Sequence, residues 1–316
     1  MVGPVVKTAG LFAVIIALFV VVGGILGQIV FGSLLAGLAI ALGLALVMNL
    51  VSYFLCVRFV LWSSRARIVT AAEAPRLAKI VSELAPTFGL VAPRIALIST
   101  MTPNAFATGR DERHAVVAAT EGILHLLNDR QLTGVLAHEL AHIKDRDILV
   151  MTLAATLAGA ISYLAQAFIF GEIFGGFGGS GRASGNNLIL AIVAVIAAPV
   201  AAGMIQLAIS RSRELRADEV GARTIEDPEA LAGALEQLES ANDRRPQPIG
   251  TPATSALCIV NPLRGKGAFK SMFSTHPPLE ERIRRLRAMK ADYTYRVRPS
   301  GRRNFGSVPT APAVVR

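Results

Sequence analysis

Residues 135–147 read VLAHELAHIKDRD, two histidines four apart with a glutamate directly after the first. On an α-helix, residues four apart lie one above the other on the same face, so His138 and His142 can aim two imidazoles at one point. Neutral imidazole suits Zn2+, and a catalytic zinc takes three protein ligands and leaves a fourth position to water. Glu139 lies beside the pair, placed to accept a proton from that water, which is the H-E-x-x-H arrangement. The chain holds only five histidines, His114, His125, His138, His142 and His276, so the pattern does not arise from a histidine-rich composition.

The zinc-facing side of one helix supplies two ligands, so a third must come from another element. Asp145 and Asp147 follow on the same helix but lie away from the histidine face; they read as capping or solvated groups, or at most as orienters of a ligand. The segment SRSRELRADEVGA at 210–222 offers Glu214 and Asp218, again four apart on one helical face.

What separates these two segments is apolar. The 316-residue chain is 53% hydrophobic and 17% charged, with a mean hydropathy of +0.51. Soluble chains carry about 25% charged residues, so much of this one is expected in a non-aqueous solvent. Between Lys7 and Arg58 there is no Asp, Glu, Lys or Arg. A spanning helix needs about 20 apolar residues, which predicts two crossings, Leu11–Val30 and Leu34–Val57, turning at Phe31–Ser33. The first run is too long for a cleaved signal peptide, and a second span follows at once. A second pair, Ile148–Phe170 and Leu188–Ile209, flanks the glycine-rich connector GEIFGGFGGSGRASGNN. Its loose GxG patterns follow a spanning helix, not a strand, which excludes a phosphate cradle. An antiparallel pair of spans sets its ends side by side, axes about 8–10 Å apart. Residue 214 therefore emerges beside residue 142, and the hairpin builds the site.

Lys7, Arg58, Arg65, Arg67, Lys144, Arg146, Arg211 and Arg213 flank the spans on one side, and Arg182 alone lies on the other. That bias predicts an inner-membrane, multi-pass protein with both termini and the site in the cytoplasm. Cys56 in a span and Cys258 in an aqueous segment imply no disulfide framework. Much of the net charge of +10 comes from the C-terminal region, including Arg282, Arg284, Arg285, Arg287 and Lys290. Without aromatic platforms or a recognisable module, nucleic acid is excluded as a partner; attraction to anionic lipid of the bilayer is the simpler reading.

The expected organisation is two transmembrane helices over 1–60 and a first catalytic portion over 61–147. A transmembrane hairpin over 148–210, a second catalytic portion over 211–295 and a disordered basic tail over 296–316 complete it. The aqueous portions together suffice for one core of ordinary size. The first reads as an amphipathic helix (APRLAKIVSELAPTFG), a strand RIALIST, an irregular TPNAFATGRDER, a strand HAVVAAT, and the motif helix from about Asn128. The second reads as three helices. His114 and His125 read as surface residues.

HELAH, with RELRADEVGA downstream, TPNAFATG upstream and THPPLEERI last, resembles the HtpX family of membrane-integrated zinc metalloproteases, related to the CaaX prenyl proteases. The resemblance runs from about Arg65 to Met289. It implies a mainly α membrane protein, four transmembrane helices carrying a cytoplasmic α+β zincin-like domain assembled from two chain segments. It implies one Zn2+ per chain, with Glu214 as third ligand beside His138 and His142, and Glu139 as general base. His276 would donate a hydrogen bond to the oxyanion, with Asp218 holding that histidine in register or pairing Arg213 or Arg216. Asn104, Ala105 and Phe106 would line an edge where a substrate strand pairs. The implied function is endopeptidase action on damaged or misfolded membrane proteins. The competing readings are a CaaX-type processing protease, an inactive protease-like scaffold, and an enzyme with zinc inside the bilayer. Lys144 to Asp147 set the motif at the membrane surface and argue against the last.

Overall fold

The computed structural model describes residues 32–154, 156, 211–244 and 277–296, with scattered residues between 6 and 28. Most of the expected span Leu11–Val30, the hairpin beyond 156, His276 and the tail beyond 296 lie outside the described residues.

Helix α1 runs Leu34–Ser63, six residues further than the span predicted from the sequence. Ser33 caps it, its hydroxyl accepting from the Ala36 N–H at 3.3 Å. It is the one helix among the described residues long and apolar enough to cross a membrane. Gly32 before it has φ +63, the left-handed conformation a tight reversal requires. A Cβ on Gly27 would fall 2.3 Å from the Gly37 Cα, so glycine is what lets the two backbones touch there.

Four strands follow: β1 Arg67–Val69, β2 Arg94–Ile98, β3 Ala105–Thr108 and β4 Val116–Thr120. They form one sheet in the order β1-β2-β4-β3. The β2–β4 pair is parallel, and both outer pairs are antiparallel. Between β1 and β2 lies α2, Pro75–Leu84, extended by a 3-10 turn at Ala85–Phe88. A short α3, Glu121–Leu126, leads to α4, Asp129–Lys144, which carries the histidine pair. α4 starts on a reciprocal cap: the Asn128 side chain accepts from the Gln131 N–H, and Gln131 answers to the Asn128 N–H. After a turn in which Arg146 takes φ +58, the chain is helical again over 147–154. Helices α5, Arg211–Thr224, α6, Pro228–Arg244, and α7, Leu279–Arg296, complete the described chain.

The sheet divides two cores. Ile95, Ala105, Ala107, Val117 and Ala119 face the helices α2 to α7. Ala96, Ile98, Phe106, Val116 and Ala118 face the C-terminal end of the long apolar helix, at Cys56, Val57, Val60 and Leu61, and also Val150, Leu153 and Ala154. A strand covered on both faces carries no polar alternation, which is why AFAT at 105–108 read as irregular; β1, three residues long, was also unanticipated.

Edge strand β3 is the part that positions the site. Thr120 N–H donates to the Asn104 carbonyl at 2.9 Å, which fixes 104 and, by the alternation of an antiparallel ladder, 106 and 108 as the bonded positions. The backbone groups of Ala105 and Ala107 therefore point away from the sheet, towards α4. The end of β3 is tied to the outgoing helix: Gly109 N–H donates to Thr152 Oγ1 at 3.1 Å, and Thr108 Oγ1 meets the same hydroxyl at 3.0 Å.

Candidate metal centre

Helix α4 packs against α5, α6 and β3. Close approach to α5 depends on Gly221, where a Cβ would stand 3.0 Å from the His138 backbone nitrogen and 3.1 Å from Ala137. That contact brings Glu214 and Asp218, one turn apart on α5, against the histidine face.

The two Nε2 atoms of His138 and His142 are 3.2 Å apart, and their rings lie at 88°. Glu214 presents Oε2 at 3.7 Å from His138 Nε2 and Oε1 at 3.5 Å from His142 Nε2. All three residues are buried. Bonds of about 2.0–2.1 Å from a tetrahedral zinc put neighbouring ligand atoms roughly 3.3 Å apart, so the spacing fits that ion with little adjustment.

The opposite nitrogen of each ring faces a carboxylate. His138 Nδ1 lies 2.9 Å from Asp218 Oδ1, a contact too bent for a well-aligned hydrogen bond. Asp218 is in turn gripped by Arg282, whose Nε and Nη2 donate to its two oxygens at 2.8 and 2.7 Å. His142 Nδ1 faces Asp147 Oδ2 at 3.8 Å, and Asp147 accepts from Arg213 Nη1 at 3.1 Å.

Glu139 sits beside this group and accepts from the outward-pointing Ala107 N–H at 2.7 Å. Burial pushes its carboxyl up to about 7, against the opposing pull of His142 and with the help of Glu214. Burial alone would lower both imidazoles. His138 does fall, while Glu214, Asp147 and Glu139 carry His142 up to about 9. Asp218, which burial would raise, is held at about 2 by Arg282 and His138.

A charge count tests whether these residues fit a metal. The buried acidic, basic and histidine side chains among the described residues are His138, His142, the carboxylates of Glu139, Asp147, Glu214 and Asp218, and the guanidiniums of Arg213 and Arg282. All belong to this one cluster, and the carboxylates outnumber the guanidiniums by two. A divalent cation would neutralise that excess, and the same surplus of negative charge is among the causes that push Glu139 and His142 upward. Two imidazoles and a carboxylate are also the donor set that zinc takes in hydrolytic sites.

Of the positions singled out from the sequence, one group converges, Asn104 and Phe106 stand apart from it, and His276 lies outside the described residues. His138, Glu139, His142 and Glu214 meet at one point. Asp218 touches His138 and Arg282, not Arg213 or Arg216; those two arginines pair with Asp147 and Asp145. Asn104 is buried at the start of β3, with its N–H on Thr120 Oγ1. Ala105 and Phe106 continue the strand, Phe106 pointing to the far side of the sheet. His114 and His125 are exposed.

Arg282 was missed. Its place among the C-terminal arginines suggested a surface charge attracted to anionic lipid, yet it is fully buried. The signal was in its register: Leu279, Arg282, Ile283 and Leu286 fall at i, i+3, i+4 and i+7, an arginine inside an apolar stripe.

Comparison with known proteins covers the same stretch of chain. Positions 71–290 match peptidase family M48. A curated "Protease HtpX homolog" of Syntrophobacter fumaroxidans (strain DSM 10017 / MPOB) is 48% identical over 90% of this chain and 98% of its own. One of Pyrococcus furiosus (strain ATCC 43587 / DSM 3638 / JCM 8422 / Vc1) is 48% identical over 89% of this chain and 94% of its own. One of Pyrococcus abyssi (strain GE5 / Orsay) reaches 50% over the same shares. Among solved structures, S. mikatae Ste24p superposes with a TM-score of 0.46 at 19% identity, covering 86% of this chain and 61% of that one.

Proposed function

Because the chain belongs to peptidase family M48 and is a metalloprotease, we propose that it is a zinc endopeptidase working at the cytoplasmic face of the inner membrane. The observation that supports this most is the convergence of His138, His142 and Glu214 beside a buried Glu139. The three would hold the ion, which when bound supplies an acidified water and polarises the scissile carbonyl.

The chain's own groups would do the rest. Glu139, whose carboxyl burial has already made a better base than a solvated one, takes the proton of the attacking water and returns it to the leaving amine. The outward backbone of Ala105 and the carbonyl of Ala107, whose N–H is held by Glu139, pair with an extended peptide through main-chain hydrogen bonds, which favours loose sequence preference. Asn104 and Phe106 hold that strand in the sheet. His276 serves as the oxyanion donor.

Around this site we place four spans, with α1 the second of them and the hairpin 148–210 supplying the last two. The apolar side chains exposed along α1, Leu35, Ile40, Val47, Leu50 and Phe54 among them, suit a lipid surround. Substrates would be damaged or misassembled membrane proteins, which the membrane anchor brings within reach.

The test compares the purified protein with its Glu139→Gln variant on unfolded casein, with zinc and with chelator. The wild type should cleave only when metal is present. The variant should bind metal normally and lose cleavage by about 100- to 10,000-fold. Equal rates for the two proteins would discard Glu139 as the base.

A further inference from the structure

Arg282 stands 34 positions from the last residue, has no place in the H-E-x-x-H chemistry, and is nonetheless the largest fully buried side chain among the described residues. Burying a guanidinium is costly unless it is paired with good geometry, and this one is gripped at both ends of its fork. Nε and Nη2 bond the two oxygens of Asp218 at 2.8 and 2.7 Å, and Asp218 Oδ1 lies 2.9 Å from His138 Nδ1. The imidazole nitrogen left over, Nε2, is the one aimed at His142 and Glu214.

We propose that Arg282 is a positioning residue of the metal centre. It fixes the Asp218 carboxylate, and through it the tautomer and the angle of the His138 ring, so that Nε2 meets the ion without reorganisation. This rests on the reading of His138, His142 and Glu214 as metal ligands, and it assigns a role to a residue that touches none of the reacting atoms.

The contrast between the two rings supports it. The arm behind His142 is slack: Asp147 stands 3.8 Å from Nδ1, and Arg213 holds it through Nη1 alone, with its Nε and Nη2 buried and unpartnered. The arm behind His138 is bidentate and short. A carboxylate whose two oxygens are both engaged by a planar fork cannot swing, and a ring resting on it inherits that stiffness. The three links come from three separate helices, α4, α5 and α7, so the arm also reports whether α7 has docked.

The experiment measures zinc affinity by chelator competition at fixed pH on the full chain in detergent. The variants are Arg282→Met, Arg282→Lys, Asp218→Asn and the Arg282→Met/Asp218→Asn pair, each checked for native helicity. Arg282→Met and Asp218→Asn should each weaken zinc about 10- to 100-fold. The pair should bind no more weakly than the worse single variant, because the arginine acts through the carboxylate. Arg282→Lys, which keeps the charge and loses the fork, should fall between wild type and Arg282→Met, and keeps the test open if the methionine variant does not fold. With cobalt(II) in place of zinc, the visible d–d bands should shift in Arg282→Met, a signature that a loss of general stability does not produce. Wild-type zinc affinity in folded Arg282→Met or in Arg282→Lys, or losses that add in the pair, would overturn the proposal. Absence of zinc binding by the wild type would instead strike down the metal reading itself.

Discussion

Glu214 reaches the two histidines from another helix, and its carboxylate is the side chain on which the ligand set turns. Replacing it by alanine leaves two imidazoles, and structural or catalytic zinc sites need at least three protein donors. Glu214→Ala should therefore purify without stoichiometric zinc while retaining native helicity, as elemental analysis and circular dichroism will read; a full metal complement would mean a different third ligand. At this scale the sequence was informative where spacing alone carries the chemistry. The i, i+4 relations of His138 with His142 and of Glu214 with Asp218 follow from helix geometry. It was silent on which atoms meet which. Asp218 facing His138, and Asp147 approaching His142 from the next helical turn, depend on how α4, α5 and the outgoing helix are set against each other. Arg282 escaped because a charged residue is ordinarily read as solvated, and only its position within an apolar stripe said otherwise.

Among elements, the α4–α5 contact is the one that sets Glu214 against the histidines. Gly221→Ala would place a methyl group 3.0 Å from a backbone nitrogen and 3.1 Å from a backbone carbonyl, neither of which can rotate away. Overpacking of this kind costs about 1–3 kcal/mol. It should lower the melting temperature and loosen zinc together, since the displaced helix carries Glu214; a variant with an unchanged melting temperature and unchanged zinc affinity would contradict that packing. At the far edge of the sheet, Glu73 accepts from Arg67, from Thr70 N–H at 2.8 Å and from Thr70 Oγ1 at 2.9 Å, bracing the loop after β1. The Arg67 hydrogen bond chiefly, then those of Thr70, hold its carboxyl at about 2 against an ordinary 4.5. A depressed carboxyl stabilises above its unfolded value and loses that stabilisation as the pH falls through the folded one. The wild type should thus lose stability relative to Glu73→Gln between pH 4.5 and about 2, and parallel acid-unfolding curves would refute it. Helices were legible because their caps and 3.6-residue periods are local. The strands β1 and β3 were not: they are too short to show a period, and β3 is a strand chiefly because β4 and the two cores beside it make it one.

For the whole molecule, one core is assembled from chain segments that more than fifty residues keep apart in sequence. Leu132, Val135, Leu136 and Leu140 on α4 are fully buried in the core they share with α5 and α6. A chain ending at Lys144 would leave that face bare, and it should be recovered as aggregate with no bound zinc; a soluble, zinc-binding fragment would show that the later helices are dispensable. The same shared centre ties stability to the ion. Saturating zinc at 100 times its Kd adds about 2.7 kcal/mol to the folded state, so chelator should lower the melting temperature of the wild type and leave that of Glu214→Ala unmoved.

The buried charges also impose a schedule. A ribosome delivers both imidazoles first, the acidic groups of α5 roughly seventy residues later, and Arg282 some sixty residues after those. Until then the nascent interior carries an uncompensated carboxylate, and the groups that would cut a peptide lack the brace that aligns them. A hydrolytic centre whose brace is translated after every group it aligns is one that the cell cannot arm by accident before that helix is made.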